Sequence, residues 1–315
     1  MPKRQISSQS GSLRHGNMLG IQRWCFIAIM VWLATPIWAR CDDHVPQPKP
    51  QNTARAYVGD DLETILKRGS LRFALYEDFA PWSFEKAGTP VGIDVELAKL
   101  IATDLGVKAE ITLVASGETL EADLRNWVWK GPIVGGRVAN VMLHVPYDSA
   151  FACRVEQVTF TGTYHRESIA IAYSKAAYPE NKPVPAYFRF DRLGVENDSI
   201  ADFYITQLLG SQAAGNIVRY RTTQEAMAGL AVGQVLAVMG PKAQLEYGLT
   251  EALDIHSPLL PAFSVGTWTI GAAIHFSHKP LSYTVDDIIY GALNDRRIND
   301  IFKRYNVTLS PAELR

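Results

Sequence analysis

The alternation of apolar and polar positions along the chain reads as a repeated strand-then-helix order. "DDLETILKRG" (60–69) opens on acids, spaces Leu62, Ile65 and Leu66 as one helical face, and stops at Gly69. "LRFALYE" (71–77) follows as a strand. Asp94 is the expected cap of a helix that places Leu97, Ala98, Ile101 and Leu105 on one side and ends at Gly106. "AEITLVA" (109–115) predicts a strand, and Leu120, Leu124 and Val128 predict a helix. "VANVMLH" (138–144) is a near-continuous apolar run, the pattern of a strand buried on both faces.

The same order repeats further along. "SIAIAY" (168–173) predicts a strand, and "YPENKPVPAYFRFD" predicts a Pro-rich surface loop. "LGV" (193–195) leads into a helix from Ser199 to Leu209. "NIVRY" is a strand, and "TTQEAMAGLAVG" is a helix whose Thr222 and Glu225 have capping-box spacing. "VLAVMG" is a buried strand, and Pro241 suits the first turn of a following helix. The tail holds one strand, "GTWTIGAAIHF", and two helices. Repeated β-then-α order implies mostly parallel sheets covered by helices, hence an α/β chain of two lobes.

Composition narrows the function classes. The 315 residues are 47% hydrophobic and 20% charged, as in globular proteins. A formal net charge of −1 carries no basic field, so no nucleic-acid partner is expected. Residues 1–39 contain the basic Lys3, Arg4, Arg14 and Arg23, no acid, and the apolar run "WCFIAIMVWLATPIWA". This reads as a cleavable signal peptide, with a mature start near Arg40, a net charge of −5 after its removal, and a periplasmic location. Residues 40–56 read as a Pro-rich linker. Cys41 and Cys153 remain after cleavage, and an oxidising compartment allows them either to pair or to stay free.

Catalytic chemistry is sparse. "GPIVGG" (131–136) lacks the Gly-Lys-Ser/Thr of a phosphate loop. There is no G-x-S-x-G elbow and no C-x-x-C pair, and His275 and His278 have no companions for a metal set. We therefore expect no cofactor, no metal and no enzyme activity. Binding chemistry is richer, and it gathers where strands end, which is where α/β sheets hold ligands. In "ALYEDFAPWSF" (74–84) a strand ends in Tyr76, Phe79, Trp82 and Phe84. Each ring can line a pocket or pack in a core. The pocket is the expectation for Tyr76 and Trp82, and the core for Phe84. "HVPYDSAFACR" (144–154) places His144, Tyr147, Asp148 and Arg154 near another strand end, and an arginine fork suits a carboxylate. "ENDS" (196–199) puts Asn197, Asp198 and Ser199 at a helix start, where free N–H groups favour an anion and the same side chains can serve as caps.

These segments, with "LRFALYEDFAPWSFEKAGTPVGIDVELAKLIATDLGVKAEI", "FTGTY" (160–164), "LGVENDSIADFYI", "AMAGLAVGQVLAVMGP" and the C-terminal "LSYTVDDIIYGALNDRRINDIFKRYNV", resemble in order and spacing the type 2 periplasmic solute-binding proteins, family 3. That group includes the polar amino acid receptors of ABC importers. The resemblance covers nearly all of 57–307. It implies two lobes, 57–163 plus 268–315 and 164–267, joined by two hinge strands that close on a ligand. It implies a ligand-binding role for Tyr76, Phe79, Trp82, Arg154, Asn197, Asp198 and Ser199, and a monomer that serves an inner-membrane ABC permease. The expected ligand is small and polar or carboxylate-bearing. Two features depart from the pattern. Gly240-Pro241 stands where amino acid receptors carry an acid for the ligand's ammonium, and 144–154 is longer than usual. The turns at 144–146 and 239–241 resemble a subgroup found with quinoprotein (PQQ) alcohol or methanol dehydrogenases, so a dehydrogenase or its cytochrome is the alternative partner. A third, disfavoured reading, dehydratase chemistry on the same fold, has only Glu77, Asp78 and Glu196 as candidate acids.

Overall fold

The structure is a computed structural model that describes residues 58–133, 136–210, 215–263 and 266–312. The expected signal peptide (1–39), the expected linker (40–56) and Cys41 lie outside the described residues. In chain order the elements are α1 (Leu62–Arg68), β1 (Ser70–Tyr76), β2 (Phe84–Lys86), β3 (Thr89–Val91), α2 (Ile93–Asp104), β4 (Lys108–Val114) and α3 (Leu120–Leu124). A wide turn follows at Arg125–Trp129, then β5 (Val141–Tyr147), α4 (Ser149–Arg154) and β6 (Val158–Ser174). Then come β7 (Leu193–Glu196), α5 (Ile200–Leu209), β8 (Ile217–Tyr220), α6 (Thr223–Ala231), β9 (Ala237–Pro241) and α7 (Lys242–Tyr247). The chain finishes with β10 (Leu253–His256), β11 (Thr267–His275), α8 (Lys279–Asn294) and α9 (Arg297–Arg304). Among the described residues, no helix is long and apolar enough to cross a membrane.

Eight strands run side by side in the order β4-β1-β5-β11-β6-β9-β7-β8, with β10 also on β6. β1 is parallel to β4 and β5, and β7 is parallel to β8 and β9, so each half has a parallel core. β11 and β6 lie antiparallel between the halves. "SIAIAY" is therefore not a separate strand. It is the second half of the 17-residue β6, which enters from the first lobe and finishes in the second.

Alternating side chains of β6 serve opposite faces of the second lobe. Ile169, Ile171 and Tyr173 pack with Ile205 and Leu209 of α5, while Ala170 and Ala172 pack with Met227, Leu230 and Leu245 of α6 and α7. The first lobe is likewise covered on both faces. Leu71, Phe73 and Leu75 pack with α2, α8 and α9, and Ala74 and Met142 pack with Leu124 and Val128. Burial on both faces explains the apolar runs.

Two boundaries differ from the sequence reading. His144-Val145-Pro146-Tyr147 is not a loop but the end of β5, paired with β11. Asp94 is not the cap of α2. The cap position is Gly92, and the backbone of the aromatic segment satisfies the helix start: Ile93 N–H donates to the Pro81 carbonyl and Asp94 N–H to the Trp82 carbonyl, both at 2.9 Å. That releases the Asp94 side chain into the core. Gly92 has φ +132°, and a Cβ there would lie 2.2 Å from the Trp82 carbonyl oxygen. Gly92→Ala is expected to cost about 2–4 kcal/mol, read from the urea midpoint. An unchanged midpoint would mean that the close approach does not exist.

Candidate functional site

A cavity of about 200 Å³ opens between the segment joining β1 to β2 and the second lobe. The first lobe contributes Asp78, Phe79, Phe84 and Glu85. The second contributes Glu196 at the carboxyl end of β7, Arg221 and Thr223 at the start of α6, and Gln244 of α7. This is the strand-end position that α/β architecture favours for ligands. A neighbouring cavity of about 320 Å³ shares Asp78 and Glu85 and adds Glu77.

Each second-lobe group has a local reason for its position. Thr222 is the α6 cap and accepts from Glu225 N–H at 3.1 Å. The expected capping box is incomplete, because Glu225 reaches back to the Arg221 N–H instead. Thr223 then donates to one Glu196 oxygen twice, from its N–H at 2.9 Å and its hydroxyl at 2.7 Å. Glu196 is thereby fixed on the helix start. Arg221 is paired with Glu225, with nitrogen–oxygen distances of 3.0 and 3.1 Å. The cavity wall thus carries three carboxylates against one guanidinium that is already engaged.

Phe79 and Phe84 supply the apolar faces, with Phe84 lining the cavity where core packing was expected. Trp82 does the reverse. It is 1% exposed, with its ring centroid 4.5 Å from that of His144, 5.5 Å from His165 and 5.7 Å from Phe302. His144 is also buried. Its Nδ1 lies 3.0 Å from Asp94 Oδ2, so the ring carries a proton there, and the Tyr164 hydroxyl donates to Asp94 Oδ1 at 2.6 Å. The same hydroxyl accepts from His144 N–H at 3.2 Å. Burial beside the carboxylate pushes the Tyr164 hydroxyl well above its ordinary pKa, so it remains a donor.

Tyr76 is tied within the first lobe. Its hydroxyl donates to Asp123 Oδ2 at 2.9 Å, and burial pushes both the phenol and the Asp123 carboxyl upward. Tyr147 packs 6.2 Å from Phe160, and Arg154 is exposed with its guanidinium 5.6 Å from the Phe151 ring. Asn197 donates to Asp198 at 2.6 Å, and Ser199 caps α5 by accepting from Asp202 N–H at 3.2 Å. Of the nine expected ligand-binding residues, the structure brings Phe79 to the cavity wall. Cys153 is disulfide-bonded, with its other half outside the described residues.

Residues 71–126 match the family of bacterial extracellular solute-binding proteins, family 3. No curated protein sequence matches the chain. Among solved structures, an ancestral cationic amino acid solute-binding protein shares 20% identity over 78% of this chain and 98% of its own, with a TM-score of 0.64. The fold is that of a type 2 periplasmic solute-binding protein. An arginine-bound amino acid ABC transporter substrate-binding protein from Streptococcus pneumoniae shares 20% identity with this solute-binding fold, over 80% of this chain and 99% of its own, at a TM-score of 0.56. An ABC uptake transporter substrate-binding protein from the same organism, with bound histidine, shares 15% identity over the same proportions and also has a TM-score of 0.56.

The buried Asp94 carboxylate holds His144 and Tyr164 beneath the aromatic segment. Asp94→Ala leaves both donors unpaired and is expected to cost about 3–5 kcal/mol, against about 1–3 kcal/mol for Tyr164→Phe. Urea unfolding of the two variants checks this. Equal, small losses would show that the network is not satisfied as described.

Proposed function

We propose that the chain is an exported solute-binding protein that closes its lobes on a small cationic solute and delivers it to an ABC permease of the inner membrane. One observation carries the ligand class: Asp78, Glu85 and Glu196 line the interlobe cavity, and its only arginine is neutralised by Glu225. A cation entering that space gains charge-assisted hydrogen bonds from Glu196, which Thr223 already holds in place, and from the exposed Asp78 and Glu85, and Phe79 and Phe84 offer it ring faces. Gly240-Pro241 removes the acid that amino acid receptors place after the matching strand, and the acids of the β1–β2 segment and of β7 take over its role. The anchor expected for a ligand carboxylate, Arg154, is outside the cavity lining. A cation therefore replaces the carboxylate as the group the cleft selects.

The names of the structural neighbours point the same way, since they include a cationic amino acid binder and receptors holding arginine and histidine. In this reading residues 1–39 direct export to the periplasm, and 57–163 plus 268–315 move as one lobe against 164–267. The two halves of β6, each built into a different core, support that division.

Calorimetric titration of the mature protein tests the proposal, with arginine, lysine, histidine, putrescine and choline set against glutamate, citrate and lactate. At least one cation is expected to bind, and Glu196→Gln is expected to weaken it about tenfold, equivalent to ~1.4 kcal/mol. Binding of an anion alone overturns the cationic reading. Binding of no solute overturns the receptor reading and turns attention to a protein partner such as a quinoprotein dehydrogenase.

A further inference from the structure

Glu167 lies in the middle of β6, opposite Trp268 of β11, where the chain passes between the lobes. It is 2% exposed. One oxygen accepts from Ser168 N–H at 2.8 Å and from Ala243 N–H at 3.4 Å. The other oxygen has no hydrogen-bond partner. A buried carboxylate oxygen without a partner is costly when the group is charged and cheap when it is protonated.

The surroundings make this position mechanical. α7 follows β9 and packs on the second lobe through Leu245, yet its Ala243 and Tyr247 pack in the first-lobe core with Trp82 and Phe302. α7 is therefore a seat between the lobes, and Glu167 grips its first turn. The charged and titratable groups around it come from three sides. α7 presents Lys242 and Glu246, which pair at 3.4 Å, and Glu246 also accepts from Thr308 N–H at 2.7 Å. On β6, His165 shares the buried face, and its Nδ1 accepts from Ser310 N–H at 3.2 Å, while Arg166 is exposed on the other face. β11 contributes Trp268 and Thr269, which are uncharged, and the C-terminal segment contributes backbone. Burial holds His165 neutral, with its pKa lowered to about 3.

We propose that Glu167 is a proton-linked catch on the interlobe seat. Protonated, it leaves α7 packed on the first lobe. Ionised, its unpartnered oxygen draws water into the seat and frees the lobes to swing apart. Burial, reinforced by the charge of Glu246, raises this carboxyl from its ordinary 4.5 to about 7. Because the folded value lies above the unfolded one, the stabilisation is complete below about pH 4.5 and is lost as pH rises through about 7. The switch therefore works near neutrality and needs no ligand.

The test is small-angle scattering and thermal unfolding of the ligand-free protein between pH 5 and 8.5. The wild type is expected to expand with a midpoint near pH 7 and to lose on the order of five degrees in Tm across the range. Glu167→Gln is expected to stay compact with a flat profile, and Glu246→Gln to move the midpoint to lower pH. A wild type that is insensitive to pH, or a Glu167→Gln profile that matches it, overturns the proposal. Should Glu167→Gln fail to fold, carboxyl-carbon NMR of the wild type decides, because a Glu167 midpoint in the ordinary glutamate range is equally fatal.

Discussion

Everything in this molecule hangs on the two strands that belong to both lobes. β11 pairs with β6 over residues 158–168, β6 then pairs with β9 and β10, and β11 also pairs with β5. Backbone groups in a covered sheet must be paired, so neither strand can leave the junction. The junction therefore fixes where the two lobes meet, and the cavity beside it is walled by residues of both.

The first lobe spends its aromatic segment in two ways at once. The Pro81 and Trp82 carbonyls satisfy the start of α2, which lets Asp94 turn inward to hold His144 and Tyr164. Trp82 covers that buried polar group, while Phe79 and Phe84 remain at the cavity. A rigid floor with two half-buried rings suits a binding wall, since little side-chain freedom is left to lose on binding. The opposite wall is electrostatic. Glu196, locked by Thr223, lines the same cavity as Asp78 and Glu85 of the first lobe. Under the proposed function a cation offsets the repulsion among these like charges, which couples ligand charge to lobe closure.

Much of the architecture is legible in the sequence, because buried parallel strands write apolar runs and helices write caps. Gly69, Thr222 and Ser199 mark helix ends where the structure has them. The site is harder to read. Periodicity places Trp82 at a strand end but cannot say that its ring turns inward, and it cannot distinguish Trp82 from Phe84. The sequence pattern ends a strand at His144 and reads 144–146 as a turn, yet the strand runs on through Pro146 to Tyr147. Glu196 and Thr223 are 27 positions apart, and their contact exists only once β7 and β8 lie side by side. Glu167 looks like an ordinary surface acid in "HRESIAIAY". Its burial follows from β6 continuing through the junction, which the turn-like "FTGTYHRES" conceals.

The most direct test of the account is a crystal structure of the protein grown with a cation that binds it. The ligand's positive group is expected within about 3 Å of Glu196 and of Asp78 or Glu85, with Phe79 or Phe84 against its apolar part. A ligand held by Arg154 through a carboxylate, or one bound outside the interlobe cavity, would contradict it.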